Sequence, residues 1–257
     1  MIDYVRYITK DLAVQVIDEY HYSKVLPKIN KFFIGGYSEG ELVAICTLGY
    51  GVQPLHTIKK IFPNLGVKDY FEIGKLCVSD AMPRNTESNF ISKVIKLIKE
   101  NHKEVKLLYS WADGIIGKPG YVYQCSNFFY GGYIWTEMYL DKNGVRVHPR
   151  TLQGLTGKTD GKFGSRSYEV TEALGFKKYF GKQFRYVYPL CSKGEWKHLK
   201  RESTVPWDRN GYPKETDCLW KHQLTKGKRE FCDMPEFVAT TYTKNHKENE
   251  LGNIITF

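Results

Sequence analysis

Leu12, Val14, Val16 and Ile17 put apolar side chains on one side of an 11–20 segment, which predicts an amphipathic helix. A tight cluster, Tyr20-His21-Tyr22-Ser23, follows and ends at Pro27. Two apolar, β-rich runs, KFFIGGY and LVAICTLGYG, flank a Ser-Glu-Gly-Glu turn and predict a hairpin. After a proline-containing loop, YFEIGKLCVSD reads as a strand. Phe90, Val94, Leu97 and Ile98 then recur at helical spacing with Lys93, Lys96 and Lys99 opposite, and Pro83 and Asn85 offer a start and an N-cap. EVKLLYSWADG predicts a buried strand running into a loop at 110–114, GKPGYVYQCSNFFYGG a brief helix and turn, and YIWTEMYLDKNGVRVHP a second hairpin about Asp141–Gly144.

Beyond Arg150 the texture changes. TLQGLTGKTDGKFGSRS reads as a basic loop, VTEALGFKKY as a short helix stopped at Gly175, and KQFRYVYPL as a closing strand. Residues 191–257 are polar and basic with Trp196, Trp207 and Trp220, and read as an accessory lobe or tail after a 1–190 core. The order predicts an α/β fold: a mixed central sheet flanked by helices, with a parallel strand–helix–strand crossover over 70–110 and a basic C-terminal extension.

Composition narrows the partners. The chain of 257 residues carries a formal charge of +10. Residues 1–140 hold 16 basic and 14 acidic groups, and 141–257 hold 22 and 14. An excess concentrated in one half suggests a polyanionic partner, a nucleic acid such as double-stranded DNA, or else a merely soluble basic surface. No run approaches the roughly 20 apolar residues of a membrane span. Charges interrupt the N-terminal stretch throughout, so a cytoplasmic protein with reduced thiols is expected. The six cysteines form no Cys-x-x-Cys pair. Cys218, His222 and Cys232, with Cys191 or His198, could hold a metal, or could be ordinary core and surface residues.

The chemistry-bearing positions are few. His21 and Tyr22 sit between a helix and a hairpin, where the imidazole could act as a base or metal ligand, or simply be a surface histidine. Ser110 and Asp113 stand where a parallel strand gives way to a loop, the end of an open sheet that binds ligands, although Asp113 could equally cap the next turn. No Gly-x-Ser-x-Gly elbow is present. Tyr121, Tyr123, Asn127, Phe128, Phe129 and Tyr130 could stack on an extruded base, or build core. Glu72 and Lys75 precede the central helix. Arg146, His148 and Arg150 end the second hairpin, and Lys158, Lys162 and Arg166 are candidate phosphate contacts in the basic loop.

Four segments taken together resemble the Mom family of phage DNA-modification proteins: Tyr-His-Tyr-Ser…Pro at 20–27, Glu-Ile-Gly-Lys-Leu…Pro-Arg-Asn-Thr-Glu-Ser at 72–88, Ser-Trp-Ala-Asp-Gly…Gly-x-Val-Tyr-Gln-x-x-Asn-Phe at 110–128, and Val-His-Pro-Arg-Thr at 147–151. They stand in family order within residues 10–190. The resemblance implies a fold related to GNAT acetyltransferases. It also implies a transferase that acylates the N6 amine of adenine in phage DNA with a carbamoylmethyl-type group, protecting it from host restriction. By position His21 and Tyr22 match the family's His-Tyr pair, Ser110 and Asp113 its loop after the fifth strand, and Tyr123 the tyrosine of the next helix. A role suggested for iron in the family would make His21 and Asp113 candidate ligands, fewer than such a site usually has. The chain departs from the pattern at the strand–helix junction. Ser79–Asn85 contains no glycine, and Pro83 removes an amide donor, which argues against acetyl-CoA as donor. Lys75 stands where arginine is expected, which weakens any bidentate role there. Two other readings remain: a GNAT-like acyltransferase acting on a hypermodified pyrimidine or a protein amine, and a non-catalytic DNA-binding phage protein on the same fold. Nucleoside mass spectrometry separates all three.

Overall fold

The computed structural model describes residues 1–23, 26, 29–51, 54–147, 152 and 167–238. Strand β1 (Tyr4–Tyr7) precedes helix α1 (Lys10–Tyr20), whose N-cap Thr9 accepts from the Leu12 amide. Helix α1 buries Ala13, Val14, Val16 and Ile17, a face spaced by three and four residues, whereas Leu12 points to solvent. The buried face keeps Val14, Val16 and Ile17 of the expected set and takes Ala13 in place of Leu12.

Strands β2 (Asn30–Ser38) and β3 (Glu41–Gly49) form the expected hairpin. Its two-residue turn, Glu39-Gly40, takes positive φ at both positions, the geometry that matches the twist of paired strands. Helix α2 (Pro54–Ile61) lies where a loop was expected, its proline tolerated in the first turn.

Strand β4 (Tyr70–Val78) and strand β5 (Leu107–Ala112) are parallel, joined through helix α3 (Thr86–Asn101). Phe90, Ile91, Val94, Ile95 and Ile98 of α3 are buried. Asn85 does precede the helix, but with φ of 70° and no capping bond from its side chain. Helix α4 (Tyr121–Cys125) follows, then β6 (Phe129–Leu140), β7 (Arg146–Val147), α5 (Tyr168–Ala173) and β8 (Lys177–Pro189). Helix α6 (Lys193–Glu202) and strands β9 (Trp220–Thr225) and β10 (Lys228–Cys232) complete the described chain.

The sheet runs β1-β2-β3-β4-β5-β8-β6-β7, with β9 beside β8 and β10 beside β9. Alternation along β4 and β5 divides the core. Phe71, Leu108 and Ala112 face α3 with Phe90 and Val94, while Tyr70, Leu107 and Tyr109 face α2 with Ile58 and Phe62. Residues after 190 are woven into the second layer: Trp196 and Trp207 are buried beside Phe62, and β9 extends the sheet.

Candidate active site

A cavity opens where β4 and β5 part. Their ladder covers only Tyr70–Ile73 against Leu107–Ser110, and both strands then run on unpaired with each other. Backbone groups freed there border open space instead of a neighbouring strand. The register against β3 also slips: Leu48 faces Ile73 but Thr47 faces Lys75, leaving Gly74 as an extra residue. This bulge turns Glu72 and Lys75 to the same face of the sheet although they are three residues apart. The resulting cavity encloses about 640 Å³, the size of a small-ligand site. His21, Tyr22, Glu72, Lys75, Asp113 and Tyr123 all line it.

The end of α1 delivers the first pair. His21 is 7% exposed, and its ring stacks on Tyr22 at 4.3 Å. The Ser23 amide donates to His21 Nδ1 at 2.9 Å, which puts the proton of the neutral imidazole on Nε2. Burial, then the charges of Lys75 and Lys118, lower the His21 pKa to about 3. His21 is therefore a neutral hydrogen-bond donor here, and the role of base expected for it is not available at Nδ1. Tyr22 Oη donates to Asp113 Oδ2 at 2.6 Å, while Gln183 Nε2 donates to Oδ1 at 3.1 Å. Loss of water at the phenol, then the Asp113 charge, raises the Tyr22 pKa. Lys118 Nζ sits 4.5 Å above the Tyr22 ring.

Strand β4 supplies two shifted groups. Burial raises the Glu72 pKa to about 7, and burial lowers that of Lys75 to about 8. Lys75 Nζ donates to the Ser23 carbonyl at 2.8 Å, tying β4 to the segment that carries His21. Gly51, at φ of 73°, lies so close to the Glu72 carboxylate that a Cβ would overlap it. On the same face, Tyr109 Oη and Thr47 Oγ1 are buried without a hydrogen-bond partner.

Ser110 is fully buried and does not reach the cavity. It hydrogen-bonds Tyr123 Oη at 2.7 Å and the Ile73 carbonyl at 3.3 Å, so it positions Tyr123 and cannot itself meet a substrate. The aromatic cluster around Tyr123 does not close on one pocket. Phe128 is core, and Tyr130 packs on Tyr186 with its backbone bonded to Asp208. Asn127 borders a separate cavity of about 460 Å³ beside α3. Arg146 is felt electrostatically by both Tyr22 and Lys75, which keeps it near the site. Arg150, Lys158, Lys162 and Arg166 lie outside the described residues. Gln183, Trp111 and Lys118 line the cavity without having been singled out.

Among the described residues no three His, Cys, Asp or Glu side chains gather as metal ligands. His21 and Asp113 fit an iron site poorly. Both Asp113 oxygens already accept hydrogen bonds, and two lysines lie near His21. At the junction lacking glycine, Asn85 supplies the left-handed residue. No helix among the described residues is long and apolar enough to cross a membrane.

Comparison with known proteins agrees with the motif resemblance. Over 204 residues the chain is 30% identical to methylcarbamoylase mom of Escherichia phage Mu, spanning 79% of this chain and 80% of that protein. Among solved structures it is similar to a GNAT family N-acetyltransferase from Escherichia coli in complex with CoA, at 6% identity and a TM-score of 0.40 over 87% of this chain and 94% of the other. It is also similar to an N-acetyltransferase from Staphylococcus aureus Mu50, at 12% identity and 0.38 over 74% and 98%. The model of the Mom protein family matches residues 3–214, most of the chain and all of the cavity's walls, and the chain therefore belongs to the Mom protein family.

Proposed function

We propose that the protein is a DNA-modifying transferase that attaches a carbamoylmethyl-type group to the N6 amine of adenine. The observation that carries this reading is the meeting of His21, Tyr22, Glu72, Lys75, Asp113 and Tyr123 in one cavity with room for a nucleobase and a donor group, in a chain of this family. The relative's name, methylcarbamoylase, supports transfer of a small carbamoyl-containing group. The net charge of +10 supports a polyanionic substrate.

The target base leaves the duplex and enters the cavity. Its amine lone pair forms the new N–C bond, the donor's leaving group departs with its bonding pair, and the amine proton passes to Glu72. A carboxyl with a pKa near 7 suits that step at neutral pH. His21 Nε2–H and Lys75 donate hydrogen bonds to the bound groups. Asp113 holds Tyr22 and Gln183 in place at the rim. Iron takes no part in these steps, and the donor's chemical class is left open beyond its bearing a leaving group.

The test is nucleoside mass spectrometry of DNA from cells expressing the wild type and Asp113→Asn. A modified deoxyadenosine present only with the wild type is expected. No mass change, or one confined to a pyrimidine, overturns the reading.

A further inference from the structure

We propose that Lys118, Arg185, Lys200 and Arg209, each seated over an aromatic ring, form a track that grips the phosphates of one DNA strand and leads it to the cavity. The proposal rests on the DNA reading above and adds the surface that holds the substrate.

The four cations share a construction. Lys118 Nζ lies 4.5 Å from the centre of the Tyr22 ring, and the Arg185 guanidinium 5.7 Å from that of Trp111. Arg209 and Lys200 lie over Phe129 at 3.9 and 5.4 Å. A cation over a ring keeps its position while its N–H edge stays open to an anion. None of the four is paired with a carboxylate among the described residues, in contrast to Lys178, Lys226 and Lys228. Arg185 donates one N–H to the Gly131 carbonyl, and its Nε is buried with no partner. A buried guanidinium nitrogen left unmatched is costly unless a ligand takes it up.

The sheet sets the Trp111 and Phe129 rings, with their cations, in line with the cavity that Lys118 borders. Trp111 pairs with Arg185 and Phe129 with Val187, so both rings lie on the face that carries Gln183 and Asp113. From Gln183 at the cavity to Val187 is four residues, about 13 Å of extended strand. That length spans about four nucleotides at roughly 3.4 Å of axial rise per strand. A strand of phosphates held at Arg209 beside Phe129, and at Arg185 two residues nearer the cavity, would thus present to the cavity mouth a base about four steps from the phosphate on Arg209. Discrete clips at this spacing suit a regularly charged polymer better than a compact anion.

The experiment measures binding of the full-length protein to a fluorescent DNA duplex at several salt concentrations, together with nucleoside mass spectrometry. Lys200→Glu/Arg209→Glu is compared with Lys96→Glu/Lys103→Glu, an equal charge change on exposed lysines of and just beyond α3. We expect the first pair to weaken binding about tenfold or more and to reduce the slope of log affinity against log salt by about 2, near one per lost contact. The second pair should bind within about threefold of the wild type. Lys200→Gln/Arg209→Gln, milder for folding, should shift in the same direction. If both Glu pairs weaken binding equally, or the first binds like the wild type while the wild type modifies DNA, the track is wrong and the DNA reading stands. If the wild type neither binds nor modifies DNA, both fall together.

Discussion

Tyr22 and Asp113 stand 91 residues apart in sequence and are joined by a 2.6 Å hydrogen bond from the phenol to the carboxylate. The bond closes the end of α1 onto the end of β5, and with it one wall of the cavity. Tyr22→Phe removes the donor and keeps the ring over which Lys118 sits. A hydrogen bond to a charged group is worth about 1.5–3 kcal/mol, so modification should slow by roughly 10- to 100-fold. Asp113→Asn disturbs the acceptors of both Tyr22 and Gln183 and should cost on the order of 100-fold. Both variants should bind duplex DNA as the wild type does, measured alongside nucleoside yield.

Glu72 gives the site a pH signature. With its pKa raised to about 7, the carboxylate needed to take a proton is populated only as pH rises through that value. Modification rate should climb between pH 6 and 8, and Glu72→Gln should be inactive throughout. Stability runs the other way. The folded chain holds the Glu72 proton up to about pH 7, whereas a glutamate in the unfolded chain loses it near its ordinary value of 4.5, so raising pH through that window favours unfolding. Glu72→Gln should therefore be more stable than the wild type at pH 8, by up to about 3 kcal/mol, and indistinguishable near pH 4 in urea titrations.

Gly51→Ala probes the support of the same carboxylate. The backbone there has φ of 73°, which costs an alanine about 1–2 kcal/mol, and the added methyl would push on Glu72. Thermal unfolding should show the loss, and the midpoint of the pH–rate profile should shift as Glu72 is displaced. An unmoved midpoint in a destabilised variant would separate backbone strain from any effect on the carboxyl.

Trp207 tests whether the chain after 190 is part of the core. Its ring is 1% exposed, stacks on Phe62 at 5.4 Å, and occupies the space a side chain at Gly131 would need. Trp207→Ala should destabilise the protein by about 3–5 kcal/mol, and a 1–190 truncation should fail to accumulate in soluble form. Normal yield and melting of the truncated chain would refute this.

Much of this architecture was legible in the sequence because strong periodicity coincided with burial. Helix α3 repeats its apolar face for four turns, and the β2–β3 hairpin carries its turn residues openly. Strand β1 has four residues and one partner, and α2 begins at a proline, so neither had a local signal to rise above. His21, Tyr22 and Asp113 could be picked out by motif. Gln183 becomes part of the site only because β8 pairs with β5, a relation no stretch of sequence announces. Ser110 lies on a buried strand with its hydroxyl bonded to Tyr123 and to the Ile73 carbonyl, a placement behind the cavity wall that its spacing from Asp113 does not reveal.

The odd residue in β4 has a consequence for how this site can change. Were one further residue inserted after Gly74 and taken into the regular ladder, the strand beyond it would rotate by half a pleat, carrying the Lys75 ammonium into the oily layer beside Phe90 and bringing Leu76 out to face His21. Side chains in the cavity can be exchanged one at a time, but the number of residues between Glu72 and Lys75 cannot drift. The acid and the amine are kept together by a count.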